Sequence, residues 1–395
     1  MEQLLFITTS SIASNPRLVK EFESLKSNYV CTVVCYKHHD WSLELSEKIK
    51  SDNKEVNFIE IDRKQKFLST IVSKIKHKVA IRINPFYKNN YKVCAFASND
   101  KTAQLLNVVK QLSRDIEFKR IVAHNLGAFY PAVWVSKSQD IDLQLDIEDY
   151  HPGESLYFNE KLEKTNRHRI MQYSFNEANT ITYASEGIAL ECKKKYSISK
   201  DVYQLTIINA FKRDDFIKPI ATEENVLKTV WFSQYIGPNR GLEQVFSAAK
   251  AHSDIEFHLI GNVNKEYVKD IVFAKNVIFH EVMSQSDLHE FLRTMDIGLA
   301  LESEKADYNR NICLTNKFLA YVQAGLYVLA TDTFGQRNFL ESINFEAGKL
   351  IESSLSNELS KIDKNLFIHQ AKINRWNSAR QFSWEEEQTK LLEIF

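Results

Sequence analysis

Two stretches in the second half of the chain place a positive side chain at a helix start, the make-up of a site for phosphate. In residues 310–341, Thr315 or Asn316 can cap a helix, Lys317 lies in its first turn, and Gly325 ends it before an apolar run. The free N–H groups of a helix start attract an anion, and the lysine adds a mobile charge. In residues 230–243, an apolar run meets Gly237, Pro238 and Asn239, and Arg240-Gly241 opens the next helix. Glycine lets backbone approach a phosphate, and arginine can hold two of its oxygens at once. Taken singly, an ordinary capped helix with a surface lysine and a tight turn with an exposed arginine explain these residues as well. Both stretches open strand-to-helix units of the same half of the chain, which favours one site.

The first half offers acid–base groups. His124 and Asn125 follow the apolar run that starts at Arg120, where a histidine facing a crevice can polarise or deprotonate a hydroxyl near neutral pH; a histidine bonded to its own turn is the plainer reading. Asp146, Glu148, Asp149 and His151 cluster at the end of another apolar run, and they suit either acceptor hydroxyls and proton transfer or simple solvation of a loop. Their types match divalent-metal ligands but their spacing matches no metal motif, so no metal is expected.

Arg63, Lys64, Lys66, Lys74, Lys76, Lys78, Arg82, Lys88 and Lys92 fall in one stretch that contains no acid. Phe67, Leu68, Ile71, Val72, Ile75 and Val79 run through it at helical spacing, followed by Phe86 and Tyr87. A basic face with an apolar edge suits an anionic membrane surface or a lipid-linked phosphate acceptor, whereas packing of the stripe on a sheet with solvated lysines is the structural alternative. No aromatic interleaving of an RNA-binding kind accompanies it, so nucleic acid is not an expected partner.

The elements that must position these groups read as strands alternating with helices. Strands are predicted at Leu4–Thr8, Tyr29–Tyr36, Val56–Ile61, Arg120–His124, Asp142–Ile147, Thr180–Tyr183 and Val202–Ile208, then at Lys228–Ser233, Glu256–Ile260, Val277–His280, Ile297–Leu301 and Tyr327–Ala330. Such alternation implies α/β architecture with two Rossmann-like, doubly wound parallel sheets facing a cleft, and ligands at the carboxyl ends of their strands. The expected boundaries are an N-terminal Rossmann-like domain over 1–210, a linker over 211–224, a C-terminal Rossmann-like domain over 225–375, and a closing helix over 376–395 that crosses back to the N-terminal domain. From about Leu355 onward the pattern reads as helical throughout, with Trp376, Phe382 and Trp384 on one buried stripe.

Composition is that of an ordinary globular protein: 44% of residues are hydrophobic and 26% charged, and 51 Lys and Arg balance 51 Asp and Glu. With no net charge, an electrostatic partner must be met by a local patch. Five scattered cysteines without a paired spacing read as buried reduced thiols. The start of the chain has no basic region and cleavage site of a secretory leader, and no run of apolar residues is long enough to span a bilayer, so a cytoplasmic location, peripheral on the inner membrane face, is expected.

The ordered set Asn15-Pro16-Arg17, His124-Asn125, Asp146-Ile147-Glu148-Asp149, Arg240-Gly241, Phe257 to Gly261, Asn316-Lys317 through Ala324-Gly325, and Phe382-Ser383-Trp384 resembles the family 4 retaining glycosyltransferases of the GT-B fold, especially bacterial cell-surface polysaccharide enzymes. The resemblance implies a donor held by the C-terminal domain, an acceptor held by the N-terminal domain, and transfer without a metal or other cofactor. It makes Arg240, with Thr315, Asn316 and Lys317, the diphosphate site, His124 the histidine that contacts the transferred sugar, and Glu281 and Val282 the neighbours of the nucleobase. Where the family carries two glutamates eight residues apart this chain has Ile312 and Ala320, and Gln234 replaces a second basic residue; Glu302, Glu304, Asn309, Arg310 and Asn311 are the nearby groups able to take over. The expected function is transfer of a sugar, hexosyl in type, from a nucleotide diphosphate sugar to a glycan or lipid-linked acceptor in surface polysaccharide synthesis. A non-catalytic glycosyltransferase-like binding subunit and a nucleotide-sugar epimerase are the alternatives.

Overall fold

Runs of β-branched and aromatic residues that are apolar on both sides of the strand can be stable only in a sheet covered on both faces, and parallel pairing achieves this. The computed structural model describes residues 1–156, 159–221, 226–303 and 306–395. These residues fall into two compact units, one made of 1–184, 188–207 and 390–395, the other of 185–187 and 208–389.

In the first unit the strands are β1 (Gln3–Thr8), β2 (Val30–Lys37), β3 (Asn57–Asp62), β4 (Arg120–His124), β5 (Asp142–Ile147), β6 (Thr180–Tyr183) and β7 (Tyr203–Thr206). They form one parallel sheet in the order β3-β2-β1-β4-β5-β6-β7, so the chain reverses direction of winding between β1 and β4. In the second unit β8 (Leu227–Ile236), β9 (Ile255–Val263), β10 (Val277–His280), β11 (Ile297–Ala300), β12 (Tyr327–Ala330) and β13 (Gly348–Leu350) lie in the order β10-β9-β8-β11-β12-β13, with the reversal between β8 and β11. On β12, Tyr327 and Leu329 pack into one apolar cluster and Val328 and Ala330 into another, as alternation demands of a strand with a core on each side.

Gly325 closes the Asn316–Gln323 helix at φ +76°, and a Cβ there would lie 2.8 Å from the Lys372 carbonyl oxygen, so glycine is required both by conformation and by space. Beyond Leu355 the chain is not one continuous helix: Leu355–Ser360, His369–Ala379 and Trp384–Leu392 are separated by short 3-10 turns. Trp384 is buried, while Trp376 and Phe382 are partly buried against the core of the second unit. The last six residues belong to the first unit, where the Tyr29 hydroxyl donates to the Phe395 carbonyl oxygen at 2.9 Å and the Arg120 guanidinium lies 4.5 Å from the centre of the Phe395 ring.

Two features of the first unit depart from a simple hydrophobic interior. The first is a polar row at the carboxyl edge of the sheet. Thr8, His124, Asp146 and Thr182 are register partners on four adjacent strands, all with no exposed surface. The helix Pro16–Leu25, started by Pro16 and capped by the Asn15 side chain accepting from the Leu18 N–H, lays Arg17 and Glu21, one turn apart, over this row. Arg17 donates through Nε and Nη2 to the two Asp146 oxygens at 2.8 and 2.6 Å, and through Nη1 to the Ile207 carbonyl oxygen.

The second is the basic helix Phe67–Ile83, whose buried residues are Thr70, Ser73 and Ala80. Its inner face is fixed by polar bonds: the Ser73 hydroxyl donates to the Asp100 carbonyl oxygen at 2.7 Å, and His77 Nδ1 meets the Phe96 carbonyl oxygen at 2.7 Å. The apolar stripe faces outward instead, with Phe67 63%, Leu68 78% and Ile75 54% exposed, so packing of that stripe on the sheet is set aside. Small residues on the inner face let the helix approach its neighbours, which the apolar spacing alone does not reveal.

The Arg17 and Asp146 pair is buried in full, so removing one partner strands a charge. Arg17→Met is expected to cost about 3–5 kcal/mol of folding stability, read as a lowered urea midpoint. A midpoint unchanged from wild type contradicts this placement.

Candidate functional site

The second sheet gathers charge at its point of reversal. Gly241, at φ +73°, heads the Leu242–Ala251 helix, and a Cβ there would sit 3.0 Å from the Leu301 Cβ, so the loop after β8 closes tightly on the loop after β11. This brings Arg240 to Glu302, which is 9% exposed and whose backbone N–H donates to the Thr331 hydroxyl at 3.0 Å. Arg310 sits in the short helix Tyr308–Ile312, started by Asp307, with its guanidinium 3.9 Å from the Glu302 carboxylate. Thr315 caps the Asn316–Gln323 helix by accepting from the Phe318 N–H, which sets Lys317 in the first turn with its ammonium 4.8 Å from the centre of the Trp231 ring.

Among the described residues, three cations therefore share one carboxylate, that of Glu302. Burial pushes the Lys317 amine down to about 8; Glu302 works against that shift, and Arg240 and Arg310 add to it. Arg240 is also lowered, first by burial and then by Arg310. Such a group has an unfilled need for negative charge, at the crevice where open parallel sheets bind ligands.

Other expected donor residues fall elsewhere. Asn316 is exposed and its side-chain oxygen accepts from Asn209 Nδ2 at 2.9 Å. Asn239 takes a left-handed conformation at φ +61°, exposed at the tip of the same loop as Arg240, and Gly237 leaves room for the Tyr235 ring, which a Cβ would meet at 2.6 Å. Glu281 and Val282 are exposed after β10, the edge strand two positions from β8. Ile312 and Ala320 are buried apolar side chains and supply no carboxylate. Glu304 lies outside the described residues, as do positions 222–224 of the expected linker.

In the first unit the row under the crevice corrects the expected exposure of His124. The ring has no exposed surface; its Nε2 is 3.2 Å from Glu21, and its Nδ1 is 3.2 Å from Asp146 and 3.0 Å from Glu148. Burial alone would lower the imidazole, but Glu21, Asp146 and Glu148 outweigh it and hold His124 well above its usual range. Burial raises Glu21, and the Arg17 guanidinium overcomes burial to hold Asp146 below the ordinary carboxylate range. Asp146 likewise has no exposed surface, so it is a structural anchor rather than a wall of the crevice. Ligand atoms of Glu21, His124 and Asp146 lie within 4.8 Å of one another, yet Arg17 already engages both Asp146 oxygens, which suits an imidazolium better than a metal ion. Glu148 is the partly exposed member of the group, its side chain 22% accessible, and Asp149 beside it is half-buried.

Above this row lies a cavity of about 230 Å³ lined by Thr9, Ser10, Asn99, Asn125, His151 and Arg167, among others. It sits where β1 and β4 part, at the reversal of the first sheet. Asn125, at φ +61°, holds the two strand ends together: its side-chain oxygen accepts from the Thr9 hydroxyl at 2.6 Å, and its amide donates to the Thr8 hydroxyl at 2.7 Å. His151 is 6% exposed, with Nδ1 3.3 Å from Glu154 and no partner on Nε2 among the described residues. Burial opposes its protonation, but Glu154 outweighs burial and raises it. Arg167 pairs with both Glu154 and Glu163 at the rim. Arg17, Glu21 and the Thr9-Ser10 turn were not among the expected site residues. The available signal was two opposite charges, one turn apart, beside the apolar stripe Leu18, Phe22 and Leu25.

No family model matches the chain, and no curated protein matches it in sequence. By structure it is similar to HepE of Anabaena in complex with UDP, at TM-score 0.68 and 14% identity over 100% of this chain and 99% of that one. It is similar also to sucrose-phosphate synthase of Thermosynechococcus elongatus, at TM-score 0.69 and 10% identity over 100% and 98%. A glycosyltransferase of Rickettsia africae matches at TM-score 0.66 and 14% identity over 100% and 97%. At such identities the likeness concerns architecture, and the chain has the GT-B fold, two Rossmann-like domains each built on a doubly wound parallel sheet.

Proposed function

We propose that the chain is a glycosyltransferase that binds a nucleotide diphosphate sugar on its second unit and a hydroxyl-bearing acceptor on its first. The observation that carries this reading is the group Arg240, Arg310 and Lys317 around Glu302, the one carboxylate set among them in the described residues. A diphosphate brings the missing negative charge, and its charge grows as the bond to the sugar breaks, so the same cations stabilise the transition state more than the ground state. They would do so without a metal. Neighbouring structures hold UDP or UDP-glucose, which makes a uridine nucleotide the first donor to test.

On the acceptor side, the cavity at Asn125 and His151 offers hydroxyls, amides and an unpartnered imidazole N–H, chemistry suited to sugar hydroxyls. His124 then acts as a positioning residue, holding Glu148 at the sheet edge, while Glu148 and Asp149 are the carboxylates with access to a substrate. Hexosyl transfer with retention, and a role in surface polysaccharide synthesis, extend this reading from the sequence resemblance. The buried Ile312 and Ala320 favour one second reading, a binding subunit without catalysis.

Titration with UDP and turnover of UDP-sugars separate these outcomes. Arg240→Ala is expected to weaken UDP binding by about 1.5–3 kcal/mol, ~10–150-fold. Because a lowered lysine loses its charge as pH rises through about 8, wild-type affinity should fall between neutral and alkaline pH, and Lys317→Arg should flatten that fall. Unaltered affinity in Arg240→Ala refutes the donor site; tight UDP binding with no transfer to any acceptor supports the binding subunit.

The outward apolar stripe of the Phe67–Ile83 helix, flanked by Lys74, Lys76 and Lys78, supports peripheral attachment to an anionic membrane. Charge reversal at those three lysines should abolish co-sedimentation with phosphatidylglycerol vesicles at low salt and leave UDP affinity unchanged. Failure of the wild-type protein to sediment with such vesicles rules the attachment out.

A further inference from the structure

Away from both sheet reversals, the first unit has a cavity of about 350 Å³ on the outer side of its helices. The helix Leu126–Gln139 presents Tyr130, Trp134 and Lys137 to it, residues three to four apart and so on one face, while Tyr91 and Tyr173 come from the helices Tyr91–Ser98 and Glu160–Glu177. Tyr91 and Tyr173 stack with centroids 4.1 Å apart, and Tyr130 is tilted against Tyr91 at 5.0 Å. The Tyr91 hydroxyl is tied to the Ser174 hydroxyl at 2.8 Å, so the floor of the cavity is a fixed aromatic platform. A face this rich in large aromatic rings is ordinarily covered in a monomer.

The chemistry of the rim selects among occupants. Lys137 is neutralised by Glu177 at 2.7 Å, and its ammonium also lies 3.4 Å from the Tyr173 hydroxyl. Lys110 lies over the Trp134 ring at 4.4 Å, a contact that uses the negative face of the indole. The cavity thus has aromatic faces that attract weakly positive partners, one of them shared with Lys110, and a rim of hydroxyls and the Lys137–Glu177 ion pair. A phosphate or an anionic headgroup would face the negative faces of the aromatic rings that line the cavity, and an alkyl chain would strand the tyrosine hydroxyls and the lysine. A pyranose meets both requirements, because one of its faces is a patch of slightly positive C–H groups and its edge is a ring of hydroxyls.

We propose that this cavity is a binding site for a neutral oligosaccharide, distinct from the acceptor crevice at Asn125 and His151. Stacking on Trp134 supplies affinity, and Lys137, whose ammonium lies 5.4 Å from the centre of the Tyr173 ring, supplies with the tyrosine hydroxyls hydrogen bonds to the sugar edge. Held there, a glycan chain keeps its bearer on the protein after its reacting end leaves the crevice, which raises the local concentration for the next encounter. The site does not depend on the transferase reading, since it would hold a glycan in a protein with no catalysis.

The test uses the full chain and a panel of short neutral oligosaccharides of glucose, galactose and N-acetylglucosamine, read by saturation-transfer NMR and by tryptophan fluorescence. At least one member should bind with a millimolar Kd. That affinity should fall tenfold or more in Trp134→Ala and in Tyr173→Ala, with UDP affinity unchanged in both. Tyr173 is 40% exposed, so its variant keeps the fold even where the Trp134 variant fails to. Absence of saturation transfer from every sugar at millimolar concentration overturns the proposal, as does undiminished sugar binding in Tyr173→Ala. Loss of binding to anionic vesicles, in place of sugar binding, would assign the platform to the membrane surface and equally overturn it.

Discussion

Positive charge held in place without its counter-charge is the constraint on which the second unit is built. Arg240, Arg310 and Lys317 repel one another, and among the described residues Glu302 is the carboxylate that offsets them. The fold tolerates this because each cation is carried by a separate element: the loop after β8, a short helix, and the first turn of a longer one. Like charges near one another are destabilising, and an anion bound among them would relieve the repulsion. Gly241 matters as much as the charged residues, because any side chain there would hold the β8 and β11 loops apart.

The first unit meets the opposite situation. There the charges are buried and closed on themselves, with Arg17 on Asp146 and His124 among three carboxylates. A closed network serves to fix geometry, and what it fixes is the rim: Asn125 clamping the two strand ends, and Glu148 at the edge of the row. One unit therefore leaves positive charge in excess at its sheet edge among the described residues, and the other closes its charges on one another beneath a polar cavity.

Parallel strands and their order of appearance were legible because they are written locally, in runs such as Arg120–His124 and Asp142–Ile147 whose bounds coincide with β4 and β5. The three-residue β13 escaped notice, being too short for a period and defined only by pairing with β12. Two helix starts carrying Arg240 and Lys317 stand out in the sequence, in the first and penultimate strand-to-helix units of one half; that they meet follows from β8 lying next to β11 in the sheet. The burial of His124 was not, because it depends on Arg17 and Glu21, more than a hundred positions earlier, folding over the strand end. Nor could spacing decide which side of the Phe67–Ile83 helix faces inward. An apolar stripe and a stripe of Thr70, Ser73 and Ala80 both have helical period, and only the partners on Asp100 and Phe96 choose between them.

That inverted helix bears on the protein in dilute solution. Its hydrophobic side is bordered by lysines and arginines, so two copies brought face to face would have to bring their like charges together. Self-association through this stripe is thus opposed at low ionic strength and released as salt screens the repulsion. The same ring of basic residues that would draw the helix to an anionic layer acts, in the absence of one, as the guard that keeps it from its own kind.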